Sequence, residues 1–152
     1  MKQIPILLDT NLLILFLVGS ASRDYIAIHK KLTSFDCDDY DELLKIIRNA
    51  SDVFVTPNTL TETSNLAGYI KEPAKSNIFK VFREMIKSSI ELFIPSAVAA
   101  QTEEFIRLGL TDAAILNALT NQELVVLTTD LDLYVAALSK GKAINFNHLR
   151  NK

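Results

Sequence analysis

Cysteine, proline and glycine are all scarce in this chain of 152 residues, at one Cys, four Pro and four Gly. The lone Cys37 leaves no intramolecular disulfide to form and fits a reducing compartment, so a cytoplasmic protein is expected. Few breakers, 49% apolar residues and an ordinary 22% charged residues exclude a disordered or fibrous chain. Long hydrophobic runs are missing too. The most apolar stretch, residues 4 to 18, contains Asp9 and Asn11, is too short and polar to cross a bilayer, and has no small-residue cleavage site. No linker, repeat or biased tract interrupts residues 1–152, which are expected to form one domain. The chain also lacks a GxSxG elbow, a P-loop and any cluster of Cys and His; His29 and His148 stand alone.

Charge of one sign is not in excess, since the net value is -2. Setting aside four acids discussed next leaves 16 basic against 14 acidic residues, a remainder of +2. A working surface attractive to phosphates is therefore compatible with an acidic pI.

What the chain does have is carboxylates where apolar strands give way to helices. Ile4-Pro5-Ile6-Leu7-Leu8 runs into Asp9-Thr10-Asn11, and Leu124-Val125-Val126-Leu127-Thr128-Thr129 runs into Asp130-Leu131-Asp132. An acid at the end of a buried strand is costly to desolvate. Glu62 and Asp112 fall on the first turns of expected helices. Clustered acids without cationic neighbours in sequence point to a bound divalent cation, Mg2+ or Mn2+, which take hard oxygen ligands. Two such ions about 3.5–4 Å apart bind a scissile phosphate, activate a water and stabilise the leaving oxygen, with no nucleophilic side chain required.

Hydrophobic spacing predicts strands near residues 4–8, 53–55, 91–94, 124–128 and 143–146. Helices are expected over about 11–18 (closed by Gly19-Ser20), 24–32, from Tyr40, from Pro57 with Thr56 as its cap, 74–89, 97–108, from Asp112 with Thr111 as its cap, and on to about Lys140. The helix over 74–89 is expected to bury Ile78, Phe82, Met85 and Ile86. This alternation predicts an α/β fold: a mostly parallel sheet with helices on both faces. Right-handed crossovers bring all strand C-termini to one edge, where ligands bind, so the four acids converge there.

Leu8-Asp9-Thr10-Asn11, Thr56-Pro57-Asn58-Thr59-Leu60-Thr61-Glu62, Gly109-Leu110-Thr111-Asp112-Ala113 and Leu127-Thr128-Thr129-Asp130-Leu131-Asp132 together resemble the four acidic motifs of the PIN-domain ribonucleases, in the family's order and over nearly the whole chain. The resemblance implies a three-layer α/β/α sandwich and a magnesium- or manganese-dependent endoribonuclease that leaves a 5′-phosphate and a 3′-hydroxyl. It implies Asp9, Glu62, Asp112 and Asp130 as catalytic residues, with Asp9, Asp112, Asp130 and Asp132 as metal ligands. Asn11 and Thr128 match supporting positions. Many small bacterial members are toxins of the virulence-associated protein C (VapC) type, which act on RNA, form homodimers and are inhibited by an antitoxin protein. The chain departs from these in a longer segment over residues 20 to 52.

Bland readings stand beside these. Asp9, Asp112, Asp130 and Asp132 suit helix starts on their own, and Glu62 suits a solvated helix face. The run Asp36 to Glu42 lacks the glycine and terminal glutamate of a calcium loop and reads as a helix start. Lys80, Arg83 and Lys87 share one helix face, expected either as solvated charge or as phosphate contacts for RNA. Two other functions compete: a catalytically silent PIN-fold interaction module, and a phosphotransfer domain of receiver or haloacid-dehalogenase type. The latter needs an acid where Asn11 stands, and a receiver needs a late lysine after a strand.

Overall fold

A computed structural model describes residues 3–150. Its centre is a five-stranded, all-parallel sheet in the order β3-β2-β1-β4-β5, formed by β1 (Ile6–Leu8), β2 (Val53–Val55), β3 (Ile90–Glu91), β4 (Val125–Thr128) and β5 (Ala143–Asn145). Side chains alternate across it. Ile6, Leu8, Val55 and Leu127 face one core, while Leu7 and Val126 face the other. The first core is covered by α1 (Thr10–Ala21), α2 (Cys37–Asn49), α3 (Pro57–Ala67) and α4 (Ala74–Ser88). The second is covered by α7 (Leu110–Asn121) and α8 (Leu131–Leu138), joined by the short helices α5 (Ser96–Ala99) and α6 (Phe105–Leu108). This is the expected three-layer α/β/α sandwich. Among the described residues no helix is long and apolar enough to cross a membrane.

α1 is buried on nearly every side because it lies between the sheet and α2, α3 and α4. Gly19 does not close this helix, as the sequence predicts; the helix passes through it. A Cβ there would fall 2.2 Å from Cδ1 of the Tyr40 ring, so the glycine exists to let α2 approach.

Other departures have local causes. Residues 24–32 form only a 3-10 turn at Arg23–Tyr25 and further turns, although the buried Ile26, His29 and Leu32 keep the three-residue spacing of a helix face. Buried His29 fixes this segment instead. Its Nδ1 accepts from the Lys31 N–H (3.1 Å), so its Nε2–H donates to the Ala67 carbonyl at the end of α3 (3.0 Å). The expected helix over 97–108 is broken where the Thr102 hydroxyl takes the Ala99 carbonyl. The third strand is only Ile90–Glu91, and Ile86, expected in the core, is 39% exposed at the margin of the face formed by Ile78, Phe82 and Met85.

The start of α2 is held twice. Asp36 and Asp39 form a reciprocal capping box. Asp39, 1% exposed, also receives a two-pronged ion pair from Arg150 (3.0 and 2.9 Å), whose guanidinium further donates to the Ser34 carbonyl and Asn147 and lies over Phe35. The long segment after α1 is thus tied to α3 through His29 and to the end of the chain through Arg150.

Gly19→Ala measures the close approach of α1 and α2. Alanine gains about 1 kcal/mol in helix propensity, but overpacking against the Tyr40 ring costs about 1–3 kcal/mol and more where the backbone cannot shift. A lower melting temperature is expected; a stabilised variant would show that the ring yields freely.

Candidate active site

The strand order reverses between β1 and β4, and the polypeptide leaves these two neighbours toward opposite faces of the sheet. Such a switch point opens a crevice at the strand C-termini. Here it is a cleft of about 390 Å³ lined by Asp9, Glu62, Asp112 and Asp130 together with Thr10, Asn11, Thr111 and the apolar Leu66, Leu108 and Leu110. Four acids separated by up to 121 positions in sequence share this one surface. A larger groove of about 580 Å³, between α1, α2 and α4, is mostly apolar and contains none of them.

Asp9 closes β1 and caps α1. It is 7% exposed; one carboxylate oxygen accepts from the Thr10 N–H (2.8 Å) and the other from the Thr128 hydroxyl (2.7 Å). The Thr128 oxygen in turn accepts from the Asp130 N–H (2.9 Å), so one hydroxyl on β4 joins the Asp9 carboxylate to the Asp130 backbone. Asp130 caps α8 by accepting from the N–H groups of Asp132 (2.9 Å) and Leu133 (3.2 Å). The bland reading of Asp9 and Asp130 as caps is therefore true, yet it leaves unexplained why both caps line a single cleft.

Glu62, in the second turn of α3, accepts from the Thr10 hydroxyl (3.3 Å) and from the Thr111 hydroxyl. Thr111 does not cap α7 as the sequence predicts. Gly109, at φ +89, turns the chain so that the helix begins at Leu110, which frees the Thr111 hydroxyl to hold Glu62. Thr10 and Thr111 are functional candidates that sequence reading missed, although each adjoins a predicted acid.

Asp112 is partly buried in the first turn of α7. Desolvation, then the charges of Asp9, Asp130, Glu62 and Asp132, push its carboxyl up to about 7. Burial also raises Asp9, against the hydrogen bonds from Thr128 and Thr10, with Asp130 and Glu62 adding to the rise. Among the described residues no Lys, Arg or His forms an ion pair with any of these acids.

The remaining candidates are less central. Asp132 is exposed beside the cleft, close enough for its charge to act on Asp112. Asn11 lines the cleft but takes no part in holding Asp9. Lys80, Arg83 and Lys87 lie exposed on α4 and do not line the cleft; Lys87 pairs with Glu84 at 3.5 Å.

The donor set is oxygen only and anionic, which suits Mg2+ or Mn2+ rather than a soft metal. The carboxylates surround the cleft without closing on a point: among the described residues no three Asp, Glu, His or Cys side chains form a ready cluster for an ion. The fit to a divalent cation rests on charge. Uncompensated like charges in one partly buried space favour a cation or a proton.

A proton taken up by Asp112 links stability to pH. The folded carboxyl titrates near 7 and the unfolded one near 3.8, so across that window the folded state binds more protons and stability falls as pH rises. In chelator, the melting temperature is expected to fall from pH 5 to pH 7.5. Asp112→Asn should flatten that slope and raise the value at pH 7.5 by a few degrees. An unchanged slope would mean that the Asp112 carboxyl is not under this strain. Neither a protein-family model nor a curated protein sequence matches this chain.

Proposed function

We propose that the chain is a cytoplasmic, Mg2+- or Mn2+-dependent endoribonuclease whose reaction takes place in the acidic cleft. The observation that carries this reading is the gathering of Asp9, Glu62, Asp112 and Asp130, with no cationic partner among the described residues, at the switch point of a parallel sheet. Asp9 and Asp112 are the two acids whose charged forms are disfavoured by their surroundings, and strained carboxylates of this kind mark functional sites. The resemblance of the four motifs supplies the substrate class.

Asp9, Asp112 and Asp130, with Asp132 at the rim, would hold the divalent cation. When bound, it supplies Lewis-acid contact to a phosphate oxygen and makes water a better nucleophile at neutral pH. The chain's own residues perform the rest. Thr128 holds the Asp9 carboxylate against the backbone of Asp130, and the Asp132 and Leu133 N–H groups hold the Asp130 carboxylate, before substrate arrives. Glu62, exposed and held by Thr10 and Thr111, accepts a proton from water as the water oxygen bonds to phosphorus. The bond from phosphorus to the 3′-oxygen breaks, and that oxygen takes a proton, leaving a 3′-hydroxyl and a 5′-phosphate.

The toxin form of this reading adds an inhibitory antitoxin protein and a second copy of the chain, and sedimentation of the purified protein separates monomer from homodimer. A silent interaction module is the alternative from another class, and calorimetric titration with Mn2+ decides between them.

Asp9→Asn and Asp112→Asn are each expected to lower RNA cleavage at least about a hundredfold while the far-ultraviolet circular dichroism stays that of wild type. Cleavage by wild type should vanish in chelator and return with Mg2+ or Mn2+. Full activity in purified Asp9→Asn protein would overturn the mechanism.

A further inference from the structure

A second groove, of about 570 Å³, lies between the turns after α1 and the connection from α3 to α4. Its character is the opposite of the cleft's. Lys30 and Lys71 line it. Lys31 borders it, with its Nζ 4.5 Å from the centre of the Tyr69 ring, and Lys75 places its Nζ 3.8 Å from where a Gly68 side chain would begin. All four lysines are exposed, and none forms an ion pair among the described residues. Glu72 is the acid that faces them, and its carboxylate is engaged by the Ser76 N–H (2.7 Å) and hydroxyl (2.6 Å). The groove together with its two bordering lysines therefore carries a surplus of three positive charges, four lysines against Glu72.

It also carries rings. Tyr69 is 46% exposed, and Tyr25 forms part of the wall with its hydroxyl anchored by Asn77 (3.0 Å). Exposed Ile28 adds an apolar edge. The two walls are fastened by His29, whose neighbours Ile28, Lys30 and Lys31 come from one side and whose partner Ala67 comes from the other. Lysines beside exposed aromatic side chains are the ingredients of single-strand recognition, in which cations track phosphates and rings stack on bases.

The end of α3 borders both the groove and the cleft. Leu66 lines the acidic cleft and Gly68 lines the groove, two residues and at most about 7 Å of backbone apart. We propose that the groove of Lys30, Lys31, Lys71, Lys75 and Tyr69 binds the flanking nucleotides of a single-stranded RNA whose scissile phosphate lies in the acidic cleft. The inference rests on the nuclease reading and deepens it: the long segment after α1 builds half of the binding site for the strand. Such a groove answers the electrostatic difficulty of the cleft, whose carboxylates repel the polyanion they are to cut.

The test is binding of a fluorescent single-stranded RNA oligonucleotide by the full chain in chelator, followed by anisotropy over a range of salt. Neutralising Lys30, Lys31, Lys71 and Lys75 to Gln together should weaken binding about tenfold or more at low salt and reduce the salt slope by about 3. Tyr69→Ala should weaken it about tenfold and Tyr69→Phe should restore it. Unchanged affinity in both variants overturns the groove. So does an equal loss on neutralising Lys80, Arg83 and Lys87 instead, equally tight binding of duplex RNA, or equal competition by an acidic polypeptide. The nuclease reading fails separately. Wild-type protein that binds the strand through the groove but does not cut it in Mn2+ removes the reaction and keeps the groove; protein that cuts while the groove variants bind like wild type removes the groove alone.

Discussion

The Thr128 hydroxyl is the interaction on which the cleft depends. It donates to Asp9 at the end of one central strand and accepts from the Asp130 backbone at the end of the next. Because the hydroxyl is fully buried, both of its bonds are insulated from water and geometrically fixed. It also offsets part of the cost of burying the Asp9 carboxylate, whose pKa desolvation raises. Without it, two like-charged groups at the switch point would have no common anchor.

The layered architecture was legible because strands and helices differ in hydrophobic period, and because Thr56-Pro57 and the acids before Tyr40 punctuate helix starts. The acids were legible for a different reason: a carboxylate directly after Leu8, or shortly after Leu127, contradicts its apolar surroundings. Their supporting hydroxyls were harder to see. Thr10 and Thr111 look like ordinary capping residues until tertiary structure brings Glu62 beside them. The turns over residues 24–32 were misread as helix because their conformation is set by His29 reaching Ala67, 38 residues away. No local pattern encodes such a contact. Gly19 was misread for the same reason, since its purpose is the Tyr40 ring rather than the end of a helix.

Stability and function pull in opposite directions around Asp112. Most of the molecule follows ordinary rules: apolar faces are buried, side chains cap α1, α2, α3 and α8, and Asp39 in the interior is matched by Arg150. Among the described residues, the acids of the cleft have no such match. Local conflict tolerated inside an otherwise consistent fold is what a binding site for charge looks like from the protein's side. The groove with Lys30 and Lys71 sharpens this contrast, because its lysines, like the acids of the cleft, have no ion-pair partner among the described residues.

The strand order has a consequence for how the chain comes into being. β1 is made first, yet its neighbour β4 lies 119 positions later, as counted from Asp9 to Thr128. A chain still on the ribosome can pair β1 with β2 and β2 with β3, but the other edge of β1, Ile6-Leu7-Leu8, waits unpaired until β4 emerges. That edge is short and apolar, a ready place for a wrong partner. The acids stay apart over the same interval, since Asp130 arrives with β4. The cleft therefore stays unassembled until β4 has been made.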